Sequence, residues 1–154
     1  MSRIFGLEPV FDARSKVLIL GSMPSVRSLA GGFYYLHPQN RFWKVLATLF
    51  GEEVPAGIPE KRAFALEKGI ALWDVFASCE REGSSDAAIR RPLLNDLDRV
   101  LKAADIRGIF ANGQTAFAAL QRARPDLAAR CLPSTSAQNT RFDPAPWREI
   151  LAIL

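Results

Sequence analysis

Short apolar runs that stop at glycines punctuate this chain. Lys16 to Gly21 (KVLILG) is an uninterrupted apolar run ending in glycine, the mark of a buried strand that feeds a loop. Beyond a stretch rich in Gly, Ser and Pro, Asn40 can cap a helix whose apolar face is Phe42, Trp43, Val45, Leu46, Leu49 and Phe50, with Gly51 to end it. A second helix is expected from about Pro59 to Lys68, closed by Gly69; Ile70 to Phe76 then reads as the second strand and Ser78 to Arg91 as a polar loop. Pro92 suits a first helical turn, and Leu94, Leu97, Val100 and Leu101 recur at helical spacing, so a helix is expected from Pro92 to about Ala104. Arg107 to Ala111 is the third strand. Asn112-Gly113 opens a helix carrying Ala116, Phe117 and Leu120 on one side and ending near Arg124-Pro125. A weaker strand over about Ala128 to Leu132 follows, and Pro144 or Pro146 starts a terminal helix through Trp147, Ile150 and Leu151. Strands alternating with helices predict an α/β fold built on a parallel sheet covered on both faces.

That alternation has a functional consequence, because ligands of open parallel sheets bind outside the carboxyl ends of the strands. The polar clusters fall there: Gly21 to Ser25 after the first strand, Ser78 to Glu82 after the second, Asn112-Gly113 after the third, and Ser134 to Asn139 after the fourth. The sequence therefore predicts four loops converging on one rim.

Composition narrows the picture without deciding it. The 154 residues are 49% hydrophobic, enough for one domain over 1–154 with its own core, and no internal repeat, linker or low-complexity tract divides them. No stretch approaches the roughly 18 to 20 apolar residues that span a membrane, and the N-terminus lacks the order of a signal peptide. A cytoplasmic location, at the nucleoid in a prokaryote, is expected. Cys79 and Cys131 lie far apart with no CxxC neighbour, so the sequence suggests no disulfide framework, no metal and no cofactor. Twenty Lys and Arg against 16 Asp and Glu give a net charge of +4, which suits a polyanion; fifteen of the twenty bases are Arg, scattered along the chain.

The loop from Gly21 to Asn40 holds the densest candidate chemistry: a Gly/Ser/Pro turn, three consecutive aromatics (Phe33, Tyr34, Tyr35), the single His37, and Asn40 at a helix start. A base-binding pocket needs this mixture of close-approaching backbone, an aromatic plane and amides that read polar edges. Each residue also has a plainer reading: the tyrosines as sheet cover, His37 before Pro38 as a turn residue, Asn40 as a helix cap. Asp74 at a strand end could look catalytic but reads first as an anchor for a neighbouring loop, and Glu80, Arg81 and Ser84 could line the rim or be solvated loop polarity.

The string GSMPSVRSLAGGFYYLHPQNRFW, Gly21 to Trp43, resembles the first signature of the uracil-DNA glycosylase superfamily. Its GSMP opening and its Tyr-Tyr-x-His-Pro-x-Asn-x-Phe-Trp ending most resemble the hypoxanthine-DNA (deoxyinosine) glycosylase branch. The similarity continues through Gly69 to Gly83 and Leu132-Pro-Ser-Thr-Ser136, in the expected order. It implies a three-layer α/β/α fold with a central, mostly parallel four-stranded sheet of order 2-1-3-4, flanked by helices. It also implies a monomeric enzyme that flips a deaminated base, hypoxanthine foremost, out of double-stranded DNA, with single-stranded DNA as a further substrate form. The N-glycosidic bond is then hydrolysed to leave an abasic site.

In the mismatch-type uracil branch a water-orienting Asn stands where this chain has Met23, which can neither hold a water nor take its proton. The resemblance places the important amide at Asn40 instead and an aromatic ring for stacking at Tyr35. Backbone N–H groups near Ser22 and Met23 are then expected to bind the O6 side, and His37 to help position sugar or phosphate. The late motif implies phosphate and wedge contacts from Ser134, Thr135, Ser136, Ala137, Gln138 and Asn139; the usual Pro-Ala-Asn is replaced here by Ala137-Gln138-Asn139. Because DNA phosphates already stabilise a cationic sugar, few strong acids or bases are required, and no carboxylate pair of the glycosidase kind stands out. A uracil or ethenocytosine glycosylase and a non-catalytic damage-binding module remain the alternatives. A free-nucleoside enzyme is disfavoured because no GxGxxG or GxxxxGK[ST] loop is present.

Overall fold

The computed structural model describes residues 2–154. Its central sheet contains β2 (Val17–Gly21), β3 (Ile70–Asp74), β6 (Gly108–Asn112) and β7 (Ala129–Leu132), all parallel, in the order β3-β2-β6-β7. Counted along this sheet alone, that is the expected order 2-1-3-4. Every residue of β2 and β3 is buried, as strands covered on both faces must be. Helices α2 (Phe42–Phe50), α3 (Ile58–Glu67) and α5 (Gln114–Ala123) supply cover, and the C-terminal segment, a 3-10 turn at Ala145–Arg148 running into α6 (Glu149–Ile153), seats Trp147 edge-on against Phe42. A short α1 (Val26–Gly31), not foreseen in the Gly/Ser/Pro stretch, is capped by Ser25, whose Oγ accepts from the Ser28 amide.

The middle of the chain departs from expectation. The apolar run from Ile70 breaks at Val75, and Phe76–Glu80 forms a separate strand, β4, where a loop from Ser78 was expected. It lies between β1 (Arg3–Phe5) and β5 (Arg90–Leu94) in a small antiparallel sheet. Polar residues are tolerated here because they pair across the strands: Arg3 donates to Ser78 and faces Glu80, which also meets Arg91. The helix expected from Pro92 to Ala104 shrinks to α4 (Asp98–Leu101). Leu93 and Leu94 are 57% and 52% exposed, so Leu94 does not share the buried face of Leu97 and Val100. Asn95 fixes the difference, its amide N–H donating to the Val75 carbonyl and its Nδ2 to that of Asp74.

The register of the main sheet sets the site. Gly21 pairs with Asp74, and Asn112 with Leu132, so the ends of β2, β3, β6 and β7 share one rim.

Candidate active site

A cavity of about 360 Å³ opens at that rim, within the range of small-molecule sites. The strand ends Gly21, Asp74 and Asn112 form part of its lining. Ser22, Met23, Tyr35 and Asn40 line it from the first loop, and Ser134, Thr135, Ser136, Gln138 and Asn139 from the last. His37 and Ala137 do not line it. The His37 ring nitrogen Nδ1 accepts from the Gln39 amide and its carbonyl from the Asn40 amide, a turn-forming arrangement. The second loop contributes differently from expectation. Ser78 and Glu80 belong to β4 and Arg81 is buried away from the lining, whereas Ser84 reaches the cavity as its rim reading allowed, together with Asp86, which was not foreseen.

Two tyrosines adjacent in sequence have separate tasks. Tyr34 is buried, its hydroxyl donating to the Glu8 carbonyl while its own carbonyl accepts from the Trp43 indole. Tyr35 adopts a φ of 55°, the left-handed region that non-glycine residues rarely occupy, which turns its ring away from its neighbour's course. That ring stacks on Phe42 at 4.0 Å between centroids, so Phe42 backs one face and only the other can meet a ligand. Burial, with the Asp74 charge as a second cause, holds the Tyr35 phenol well above its ordinary range, so it stays a neutral hydroxyl.

Asn40 lies at the cavity but is not the cap the sequence predicts: Arg41 is the N-cap of α2 and has no side-chain cap bond, and Asn40 precedes it. The Asn40 Oδ1 accepts from the Phe42 amide at 2.9 Å, which fixes the side chain at the start of α2. Its Nδ2 makes no hydrogen bond to another described residue and remains available at the cavity. Beside it, Arg41 carries out a task that sequence reasoning missed. Its amide donates to the Thr135 carbonyl, and its Nη1 donates to the carbonyls of Ser136 and Asn139. The guanidinium also packs over Phe142, 5.1 Å from the ring centroid. An isolated arginine carries no sequence signal for such a task.

The last loop is therefore tied down from two sides. Asn112 Oδ1 accepts from the Thr135 amide and Nδ2 donates to the Thr135 hydroxyl, both at 3.0 Å. Thr135 is 0% exposed, so its hydroxyl is a structural anchor, while Ser134 and Ser136 are only half-buried. Gly113 makes the adjacent turn at φ 97°, where a side-chain carbon would lie 3.0 Å from Ser134 Cβ.

Two carboxylates share the cavity, although none stood out as a pair in the sequence. Asp74, 3% exposed, places Oδ1 over Gly21 so closely that a Cβ there would be 2.5 Å away, with the Tyr35 hydroxyl 3.2 Å from the same point. Its Oδ2 is buried without a hydrogen-bond partner among the described residues. Burial and then the Asp86 charge push the Asp74 carboxyl up to about 7, against a smaller pull downward from Arg81. Asp86 accepts from the Ser22 hydroxyl at 2.6 Å. Arg81 is buried and donates to the Pro24 carbonyl, bracing the Gly21–Ser25 turn. The sequence marks Asp74 as a strand-end acid, read first as a loop anchor, and its register beside Gly21 is what brings it to the cavity; Asp86, in the middle of a polar segment, offered no signal.

Chemically, the cavity offers a one-sided aromatic platform, a free amide, hydroxyls and one buried acid. That set is chemically suited to a flat, polar-edged ring.

The whole arrangement has relatives. Residues 8–154 match the family model of the uracil DNA glycosylase superfamily. A hypoxanthine DNA glycosylase of Methanosarcina acetivorans is 36% identical over 141 residues, 89% of each chain. A protein of the same name from Methanosarcina barkeri is 37% identical over 112 residues, 71% of this chain and 70% of its own. A solution NMR structure from Methanosarcina acetivorans, assigned provisionally as a uracil DNA glycosylase, superposes with a TM-score of 0.80 at 32% identity, covering 97% of this chain and 96% of that one. With the family model spanning nearly the full length and the parallel sheet, rim and loops in matching order, the chain belongs to the uracil DNA glycosylase superfamily.

Proposed function

We propose that this protein is a monofunctional DNA N-glycosylase that excises deaminated bases, hypoxanthine first, and leaves an abasic site. The observation that carries the reading is the cavity at the strand ends, sized for a single base and lined by Tyr35, Asn40 and Met23 together. Two relatives named for hypoxanthine excision support the choice of base.

In this reading the duplex gives up one nucleotide to the cavity, at a cost of a few kcal/mol that is smallest for a weak pair such as inosine opposite thymine. The free face of Tyr35 stacks on the extruded base, and backbone N–H groups at Ser22 and Met23 bind its O6 side. The Asn40 amide, held by the bond its Oδ1 accepts from the Phe42 amide, orients water or the departing base. Its position is fixed before substrate arrives, so little reorganisation opposes the reaction. Phosphate contacts come from Ser134 and Ser136 and from backbone N–H groups of the last loop, with Gln138 and Asn139 beside the gap that the flipped nucleotide leaves. Met23, at 7% exposure, fills the place where a water-binding amide would favour uracil chemistry. The protein acts as a monomer and as a single domain.

The test is an alkali-cleavage assay on a duplex containing deoxyinosine. Wild type generates alkali-labile sites, and Asn40→Ala loses about 100-fold or more in rate while keeping its affinity for the duplex. Tight binding by wild type with no strand cleavage after alkali would make it a damage-binding module instead.

A further inference from the structure

Asp74 has the wrong bonding for a structural strand-end acid. Its main chain is already held, by parallel pairing with Gly21 and by Asn95 Nδ2 on its carbonyl, so the side chain is not needed to secure the loop. A carboxylate anchoring a loop would accept from backbone amides, yet Oδ2 is buried and unpartnered, at the wall of the cavity beside the Tyr35 platform. Gly21, lacking a Cβ, lets the carboxyl lie directly over the end of β2. An unpaired buried oxygen of this kind is costly unless something in the cavity pairs with it.

Building on the function proposed above, we propose that Asp74 is a catalytic residue: the general acid that delivers a proton to N7 of the departing purine. As the C1′–N9 bond breaks, its electron pair leaves with the base and the Asp74 proton moves to N7, so hypoxanthine departs neutral. Water adds to C1′, and the proton it releases restores the carboxyl. Such an acid must hold its proton near neutral pH. The groups facing Asp74 arrange this: burial and the Asp86 carboxylate favour the neutral form, Arg81 opposes it, and the neutral phenols of Tyr34 and Tyr35 add no charge. A purine can take this help at a ring nitrogen, because N7 carries a lone pair conjugated with the breaking C1′–N9 bond, whereas uracil offers only its carbonyl oxygens.

Single-turnover rates on duplexes containing hypoxanthine or 7-deazahypoxanthine, which has no N7 lone pair, test the assignment. Wild type is expected to cut hypoxanthine about 100-fold faster than the 7-deaza analogue, and Asp74→Asn to lose that preference by slowing only the hypoxanthine reaction. The wild-type rate is expected to fall as pH rises through about 7, where Asp74 loses its proton. Asp86→Asn moves that fall to lower pH by removing the neighbouring charge, a displacement that a purely structural role would not produce. Equal wild-type rates on the two bases, or an unchanged pH profile in Asp74→Asn, overturn the assignment while leaving hypoxanthine excision intact. No release of hypoxanthine by wild type at any pH overturns both readings.

Discussion

At Gly21 a hydrogen in place of a methyl group lets the Asp74 carboxyl and the Tyr35 hydroxyl close over the end of a strand. Gly21→Ala should therefore overpack the site, costing about 1–3 kcal/mol, seen as a lower Tm, together with a loss of base excision of more than tenfold. Wild-type Tm and rate in that variant would show that the close approach is unimportant. Asp74 itself should be a stability cost. Its folded pKa is raised, so the native chain binds its proton more tightly than the unfolded chain, and stability falls as pH rises from about 4 to about 7. Asp74→Asn is then expected to raise Tm by several degrees at pH 8 and to leave it nearly unchanged at pH 4, measured by thermal denaturation. An equal change at both pH values would contradict the buried, proton-holding carboxyl. At this scale the sequence shows Asn40 and Tyr35 because they sit in a dense motif. It shows Asp74 only as a strand-end acid and hides Asp86, because their meeting depends on β-register and on the chain beyond β4 folding back to the rim.

At the scale of elements, the last loop owes its shape to neighbours. Arg41 bonds to the carbonyls of Ser136 and Asn139, and Asn112 grips Thr135 through two bonds. The charged hydrogen bonds from Arg41 are worth roughly 1.5–3 kcal/mol each, and the neutral Asn112–Thr135 bonds about 1 kcal/mol each. Arg41→Ala should accordingly loosen residues 134–139, giving faster amide exchange there and a KM for duplex DNA raised several-fold, with a smaller change in kcat. Unaltered exchange would mean that the Asn112 clamp alone holds the loop. The parallel strands were readable because residues buried on both faces make continuous apolar runs ended by turn residues, as in β2 and β6. The antiparallel sheet was not, since β4 satisfies its polar side chains by pairing with β5 nearby and with β1, 75 residues away at Arg3 and Ser78. Helical spacing misled at Leu94 because Asn95 pulls that segment onto the sheet end.

For the whole molecule, four strand ends converge on one rim, and the net charge of +4 favours a polyanion. Affinity for DNA should fall as salt rises, since each phosphate neutralised by a cationic side chain adds about 0.9 to the log–log slope. The serine contacts proposed for the last loop carry no charge. Ser134→Ala with Ser136→Ala should therefore weaken binding at every salt concentration without changing the slope, as measured by fluorescence anisotropy; a shallower slope would mean that the loop acts through cations. The central claim concerns which base enters the cavity. A single-turnover panel of duplexes carrying hypoxanthine, uracil, xanthine or ethenocytosine, each scored by alkaline cleavage, tests it most directly. Hypoxanthine is expected to be released fastest; faster release of uracil or ethenocytosine would make one of those bases the substrate instead.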